Sequence, residues 1–266
     1  MIERWVPTIA VAIVLLIVIA FAIWVANHRR AKRTHSEVSG MNNIPQINTG
    51  KRPEQHFNVI HMLPLPADTP FGNMSLKYSQ LVFRLDHVNL LIREVFKSYA
   101  RAKAADDGTI THHLLLIEEL VYWIRKTADE LIALVHILNE RQSAGAYPER
   151  INPDAIGPLL ALQNIPAWVQ PHREFLNLLN EISNAYKHSF INSDAMLVGR
   201  DEPGVYALAL KRNDLERATT LHGIRVTEMV VRFDAFFQAA LAELKNCKLP
   251  HRDPNEKKPA PIYVTR

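Results

Sequence analysis

Apolar residues recur at alternating steps of three and four over two long stretches of this chain, and that spacing restricts the fold more than any other feature. Leu81, Leu85, Val88, Ile92, Val95 and Tyr99 form the first stripe; Leu114, Ile117, Val121, Ile124, Ala128, Leu131, Val135 and Leu138 form the second. An α-helix brings residues three and four apart onto one side, so each stretch predicts an amphipathic helix with a narrow apolar face. The intervening Ala-Ala-Asp-Asp-Gly-Thr has the chemistry of a turn and sets the two helices antiparallel. A third helix is expected from Pro171, with Phe175, Leu179, Ile182 and Tyr186 on one stripe. A fourth is expected from near Asn213, where Asn-x-x-Glu has the form of a capping box, with Val226, Val230, Phe233, Phe237, Ala240 and Leu244 aligned. Four such helices can bury one another's stripes, which predicts an all-α fold built on an antiparallel four-helix bundle.

Two departures decorate the bundle. Asn152-Pro153 opens a short helical piece that ends before Asn164-Ile165-Pro166, inside the long crossover between the second and third helices. Apolar runs on either side of Asp201-Glu202-Pro203-Gly204 predict a small β-hairpin insertion between the third and fourth.

A different signal precedes the bundle. From Val6 to Ala26 the chain reads VPTIAVAIVLLIVIAFAIWVA, with no ionisable side chain, and as a helix it would span roughly 30 Å, the thickness of a hydrocarbon core. Trp5 and Trp24 mark its edges, and Arg29, Arg30, Lys32 and Arg33 follow it directly. By the positive-inside rule the expectation is a single-pass protein of the cell inner membrane, N-terminus outside and C-terminal domain cytoplasmic, with the lipid bilayer contacted through residues 6–27. The rival, a cleaved signal peptide, fits less well because the run exceeds the usual apolar region of about 7 to 15 residues and lacks a small-residue cleavage site. The expected organisation is therefore an N-terminal stub over 1–5, a transmembrane helix over 6–27, and a basic juxtamembrane segment and flexible linker over 28–75. The helical bundle over 76–247 and a disordered tail over 248–266 complete it. Within the proline-punctuated linker, HFNVIHMLPLP is the one patch expected to pack back on the domain.

The formal charge of +4 would suggest a nucleic-acid partner if it lay on the bundle. It does not. Leu76 to Leu244 holds 18 basic and 21 acidic residues, a net −3, and the positive charge sits before and after it. Cys247 is the single cysteine, which excludes an intramolecular disulfide framework.

Chemistry-bearing motifs are few. None of the twelve histidines has metal-ligand spacing, and the adjacent His112 and His113 point to different sides of a helix, so no metal and no cofactor is expected. Glu118-Glu119, Arg125-Lys126 and Asp129-Glu130 have the i,i+4 pairing of a solvated helix face. No phosphate-cradling loop and no nucleophile elbow is present, and Cys247 has no histidine near it in sequence. What remains is the third helix, where Asn180, Ser183, Asn184, Lys187 and His188 cluster within two turns as candidate ligand-binding residues, with His188 the one candidate catalyst. Such a stripe can equally be a polar seam that closes against the hairpin.

Set in a bundle of long helices, Ser183-Asn184-Ala185-Tyr186-Lys187-His188 resembles the motif of the HEPN family, in which an arginine and a polar residue such as Asn are followed by a short spacer and a histidine. Here Ser183 stands in the arginine's place. The resemblance implies a module that dimerises through this helix and cleaves RNA without metal when Arg and His are both present, or binds without catalysis when they are not. His188 could serve as acid or base, yet without the arginine no motif residue stabilises charge developing on a phosphoryl group. The expected function is a membrane-tethered helical module for ligand or macromolecule binding, without catalysis. An HEPN-like ribonuclease of a defence or stress system is the alternative, and a structural scaffold the third reading. A homodimer and a nucleic acid or nucleotide are the partners these readings bring.

Overall fold

The two long stripes fold as helices α1, Met74–Lys103, and α2, Asp107–Ala144, in a computed structural model that describes residues 44–50, 63–103, 107–189, 201–209, 214 and 219–247. After α2 come the short helix α3, Ile156–Leu160, a 3-10 turn over Gln170–His172, and α4, Arg173–His188. The hairpin strands β1, Gly204–Ala209, and β2, Thr220–Arg225, lead into α5, Val226–Asn246. The chain divides into two compact units, Met1–Ile44 and Pro45–Arg266, and every one of these elements lies in the second.

Each predicted stripe is core along most of its length, with Tyr99, Leu114 and Tyr186 only half-buried. Leu81, Leu85, Val88, Ile92 and Val95 of α1 are buried, as are Ile117, Val121, Ile124, Ala128, Leu131, Val135 and Leu138 of α2. Asn73 caps α1 by accepting the Leu76 N–H at 2.9 Å. The α1–α2 pairing is antiparallel, because Arg84 near the start of α1 meets Glu130 of α2 while Ser98 near its end meets His113. Helix α2 is the centre of the bundle: α1, α4 and α5 all pack on it, α3 touches it, and it is buried on more than one face, through Leu120, Thr127, Ile132 and Leu134 besides the predicted stripe.

The fourth helix begins later than its sequence suggests. It starts at Val226, and Asn213 lies outside the described residues. Thr220–Arg225, expected within that helix, instead forms β2, which pairs antiparallel with Gly204–Ala209 in the register Val205↔Ile224 and Ala207↔His222. The hairpin is thus real, but Asp201–Gly204 is its entry and not its turn. Pro203 accepts the Val226 N–H at 3.0 Å, and Glu202 binds Arg225 at 3.4 Å and the Thr227 hydroxyl, so this entry fastens the β2–α5 junction. Tyr206 lies across Gly204 and Gly223, where an added Cβ would stand 2.3 and 2.9 Å from its ring atoms. The predicted stripe of α5 is buried throughout.

The membrane-spanning helix of the expected architecture is corrected. Among the described residues no helix is long and apolar enough to cross a membrane. Helices α1 and α2 have the length, but ionisable side chains recur along both: Lys77, Arg84, Asp86, Arg93, Glu94 and Lys97 on α1 alone. Residues 6–27, with Trp5, Trp24 and the basic cluster from Arg29 to Arg33, lie outside the described residues, as does the tail over 248–266.

The linker also departs from expectation. Pro45–Gly50 lies between α1 and α5 as an extended strap in which burial alternates: Ile47 and Thr49 are buried, Gln46 and Asn48 exposed. Asn89 of α1 and Asp234 and Gln238 of α5 hold it by its backbone. Of the patch expected to pack back, Leu63 and Leu65 are tied to the start of α1 through the Ser75 hydroxyl, while His56 to Met62 lie outside the described residues.

Candidate functional site

Helix α4 brings the five candidate residues onto one element but not into one environment. Ser183 is buried in the core, Asn180 is half-buried, and Asn184, Lys187 and His188 are exposed. His188 ends the helix, eight residues beyond Asn180, which at 1.5 Å per residue is about 12 Å. The stripe therefore splits into an inner, structural end and an outer, solvent-facing one.

The inner end is engaged. Asn180 Oδ1 accepts from Arg125 Nη1 at 2.7 Å, and Arg125 Nε donates to Asp129 Oδ1 at 2.8 Å. The same carboxylate oxygen accepts the Ile156 N–H at 2.9 Å, the first backbone amide of α3. One guanidinium thus joins α2, α3 and α4. Arg125 is only 7% exposed, so this part of α2 is not the solvated face its i,i+4 charges suggested. Three elements close over it, and the pairing compensates a buried charge instead of decorating a surface.

At the other side of α4, the Tyr186 hydroxyl donates to the Tyr206 carbonyl at 2.8 Å, and burial raises the phenol well above its ordinary range, with Glu118 adding to the rise. Helix α4 is thereby latched to β1. The Arg–Asn–Asp cluster and this latch account for Asn180 and Tyr186 in structural terms.

A second polar cluster centres on Glu130. Glu130 accepts from Arg84 at 2.9 and 3.3 Å and pairs with Lys77 at 2.8 Å and Lys126 at 3.7 Å. Burial alone would raise its pKa, but the hydrogen bonds and charges of Lys77 and Arg84 outweigh that and hold it below the usual carboxylate value. Beside it a cavity of about 370 Å³ opens between α1 and α2, lined mainly by apolar groups such as Met74, Leu134, Ile137 and Ile151, with Lys77 and Glu130 at its wall. Only the Lys126–Glu130 spacing was visible in the sequence; the two cations from α1 arrive through the antiparallel pairing.

The remaining candidates separate as follows. His112 is exposed, whereas His113 is half-buried against Ser98, whose hydroxyl bonds the Val95 carbonyl at 2.9 Å and His113 Nδ1 at 2.8 Å. Burial, with His112 beside it, lowers the His113 pKa. Cys247 donates to Asn139 Oδ1 at 3.2 Å, and burial together with Glu243 raises its pKa, which keeps it a thiol. Among the described residues no three His, Cys, Asp or Glu side chains are placed to hold a metal ion.

The outer face of the α1–α2 hairpin is unexpectedly apolar. Leu76, Phe83 and Leu90 on α1 are 54, 57 and 58% exposed, and Leu115 and Tyr122 on α2 are exposed as well. His87, on the same line of α1 as Phe83, meets the Trp123 ring edge-on at 6.4 Å between centroids, and Trp123 meets Tyr122 at 4.9 Å. Comparison with known proteins gives no matching family model, no similar curated sequence and no similar solved structure.

Proposed function

We propose that this protein is a helical interaction module that works by binding a macromolecule and not by catalysis, and that its working surface is the outer face of the α1–α2 hairpin. One observation carries the reading: Leu76, Phe83 and Leu90 stand seven residues apart in one line on α1, each more than half exposed. Seven-residue spacing keeps a seam facing a partner helix, and large apolar side chains on a water-facing line gain free energy only when something covers them.

The partner this surface fits is a second copy of itself. An antiparallel two-fold pairing centred on Phe83 sets that ring against its symmetry mate, Leu76 against Leu90, Ser79 opposite His87 and Gln80 opposite Asp86, so no like charges meet. The HEPN-like ribonuclease has less behind it. Ser183 is buried where a charge stabiliser would be needed, Arg125 is committed to Asn180 and Asp129, and His188 lies about 12 Å further along α4.

Sedimentation of the full chain across a concentration series tests the proposal. Wild type should run as a dimer, and Phe83→Glu as a monomer with unchanged helical circular dichroism, since a charge on the seam would have to be desolvated. A wild type that stays monomeric throughout, or a dimer that Phe83→Glu leaves intact, would overturn it.

A further inference from the structure

The strap over Pro45–Gly50 is held in a way that burial alone does not require. In an extended chain the N–H and C=O of one residue point to one side and those of the next residue to the other. The groove between α1 and α5 matches that alternation. On the α1 side, the Asn89 carboxamide accepts the Ile47 N–H at 2.8 Å and donates to the Ile47 carbonyl at 2.9 Å. On the α5 side, Asp234 Oδ1 accepts the Asn48 N–H at 2.8 Å, and Gln238 Nε2 donates to the Asn48 carbonyl at 2.7 Å. Gln238 also donates to Asp234 at 3.1 Å, which sets the α5 pair in place.

Two side chains of the strap enter the groove. Ile47, 2% exposed, fills an apolar site, and the Thr49 hydroxyl bonds Asp86 at 3.1 Å. Gln46, Asn48 and Gly50 face outward. The bonds at Asn48 are solvent-exposed, where water would satisfy the same peptide groups, so their presence is not forced by desolvation. The bundle, moreover, does not rely on direct α1–α5 packing, because each helix packs chiefly on α2. A groove with an apolar anchor site, a hydroxyl acceptor two residues on, and side chains from both walls directed at peptide groups has the design of an extended-peptide receptor.

We propose that the α1–α5 groove is a binding site for extended peptides carrying an aliphatic anchor followed two residues later by a hydroxyl, and that residues 45–50 are its resident, intramolecular ligand. The four main-chain bonds fix direction and register for any backbone, while Ile47 and Thr49 supply the sequence preference. A peptide of this chemistry competes with the strap, and its apparent affinity is reduced by the fraction of molecules whose groove is open.

The test uses the full chain and a fluorescein-labelled peptide of sequence Ile-Pro-Gln-Ile-Asn-Thr-Gly. Ile47→Asp should release the strap, and the peptide should then bind saturably, at least roughly tenfold tighter than to wild type. Adding Asn89→Ala to Ile47→Asp should remove that binding. If the Ile47→Asp chain is folded and binds no tighter than wild type, or if binding ignores Asn89, the site does not exist. Should Ile47→Asp fail to fold, hydrogen exchange on wild type decides. The Ile47 and Asn48 amides should exchange at least roughly tenfold faster than core amides such as those of Ile92 and Phe233, because strap release is a local opening. Exchange at the same rate as the core would make the strap an integral part of the fold and overturn the proposal.

Discussion

Asn180 illustrates how a side chain that reads as a site in sequence becomes part of the fold. Its amide oxygen is the acceptor that lets Arg125 remain buried between α2 and α4. Asn180→Ala should therefore cost about 1–3 kcal/mol of stability by leaving a buried donor unpaired, whereas Asn184→Ala, one turn away and exposed, should stay within about 0.5 kcal/mol of wild type; denaturant midpoints at constant slope measure both. Below neutrality the shifted titratable residues set a pH dependence of one sign. His113, His136 and His172 all have pKa values lowered chiefly by burial, so the unfolded chain binds more protons and stability falls as pH drops below about 6.5. Glu130 acts in the same direction at lower pH: its folded pKa is depressed, so its contribution is complete above about 4.3 and is lost as pH falls through the folded value. Unfolding curves from pH 7 to 5 should show the histidine effect, with a shallower slope in His113→Gln. A stability that rises over this interval would contradict the burial of these imidazoles.

Elements were legible where a single periodicity decided them. The stripes of α1, α2, α4 and α5 lie in the core apart from half-buried Tyr99, Leu114 and Tyr186, because a narrow apolar face leaves the helix only one way to pack. The start of α5 at Val226 is not legible locally, because the pairing of Thr220–Arg225 with β1 is a long-range event that local spacing does not encode. The burial of Arg125 is hidden in the sequence for a related reason. An i,i+4 ion pair looks the same on a surface as under a third helix, and the available clue was that α2 carries apolar residues off its main stripe, at Leu120, Ile132 and Leu134, as a central helix must. The strap was invisible for want of any period longer than Gln46 to Gly50. At this scale Tyr186 is the link between α4 and the hairpin. Tyr186→Phe should cost about 1 kcal/mol and should raise hydrogen exchange in β1 before that of α2, readable by amide exchange of the two elements.

At the scale of the whole molecule, the bundle encloses α2 and leaves one line of large apolar residues on α1 facing outward. The interaction proposed for that line makes a geometric demand that no internal structural role would make, because Phe83 must lie across a two-fold axis from its own copy. Facing positions of paired helices come within the Cα separation that a disulfide needs, about 4.4–6.8 Å. The most direct measurement is therefore cross-linking of full-length Phe83→Cys in a Cys247→Ser background under mild oxidation, with Leu115→Cys in the same background as the comparison. The interaction module predicts a covalent dimer through residue 83 and little through residue 115. Cysteines at 83 that remain unlinked, or that link no faster than those at 115, would contradict it.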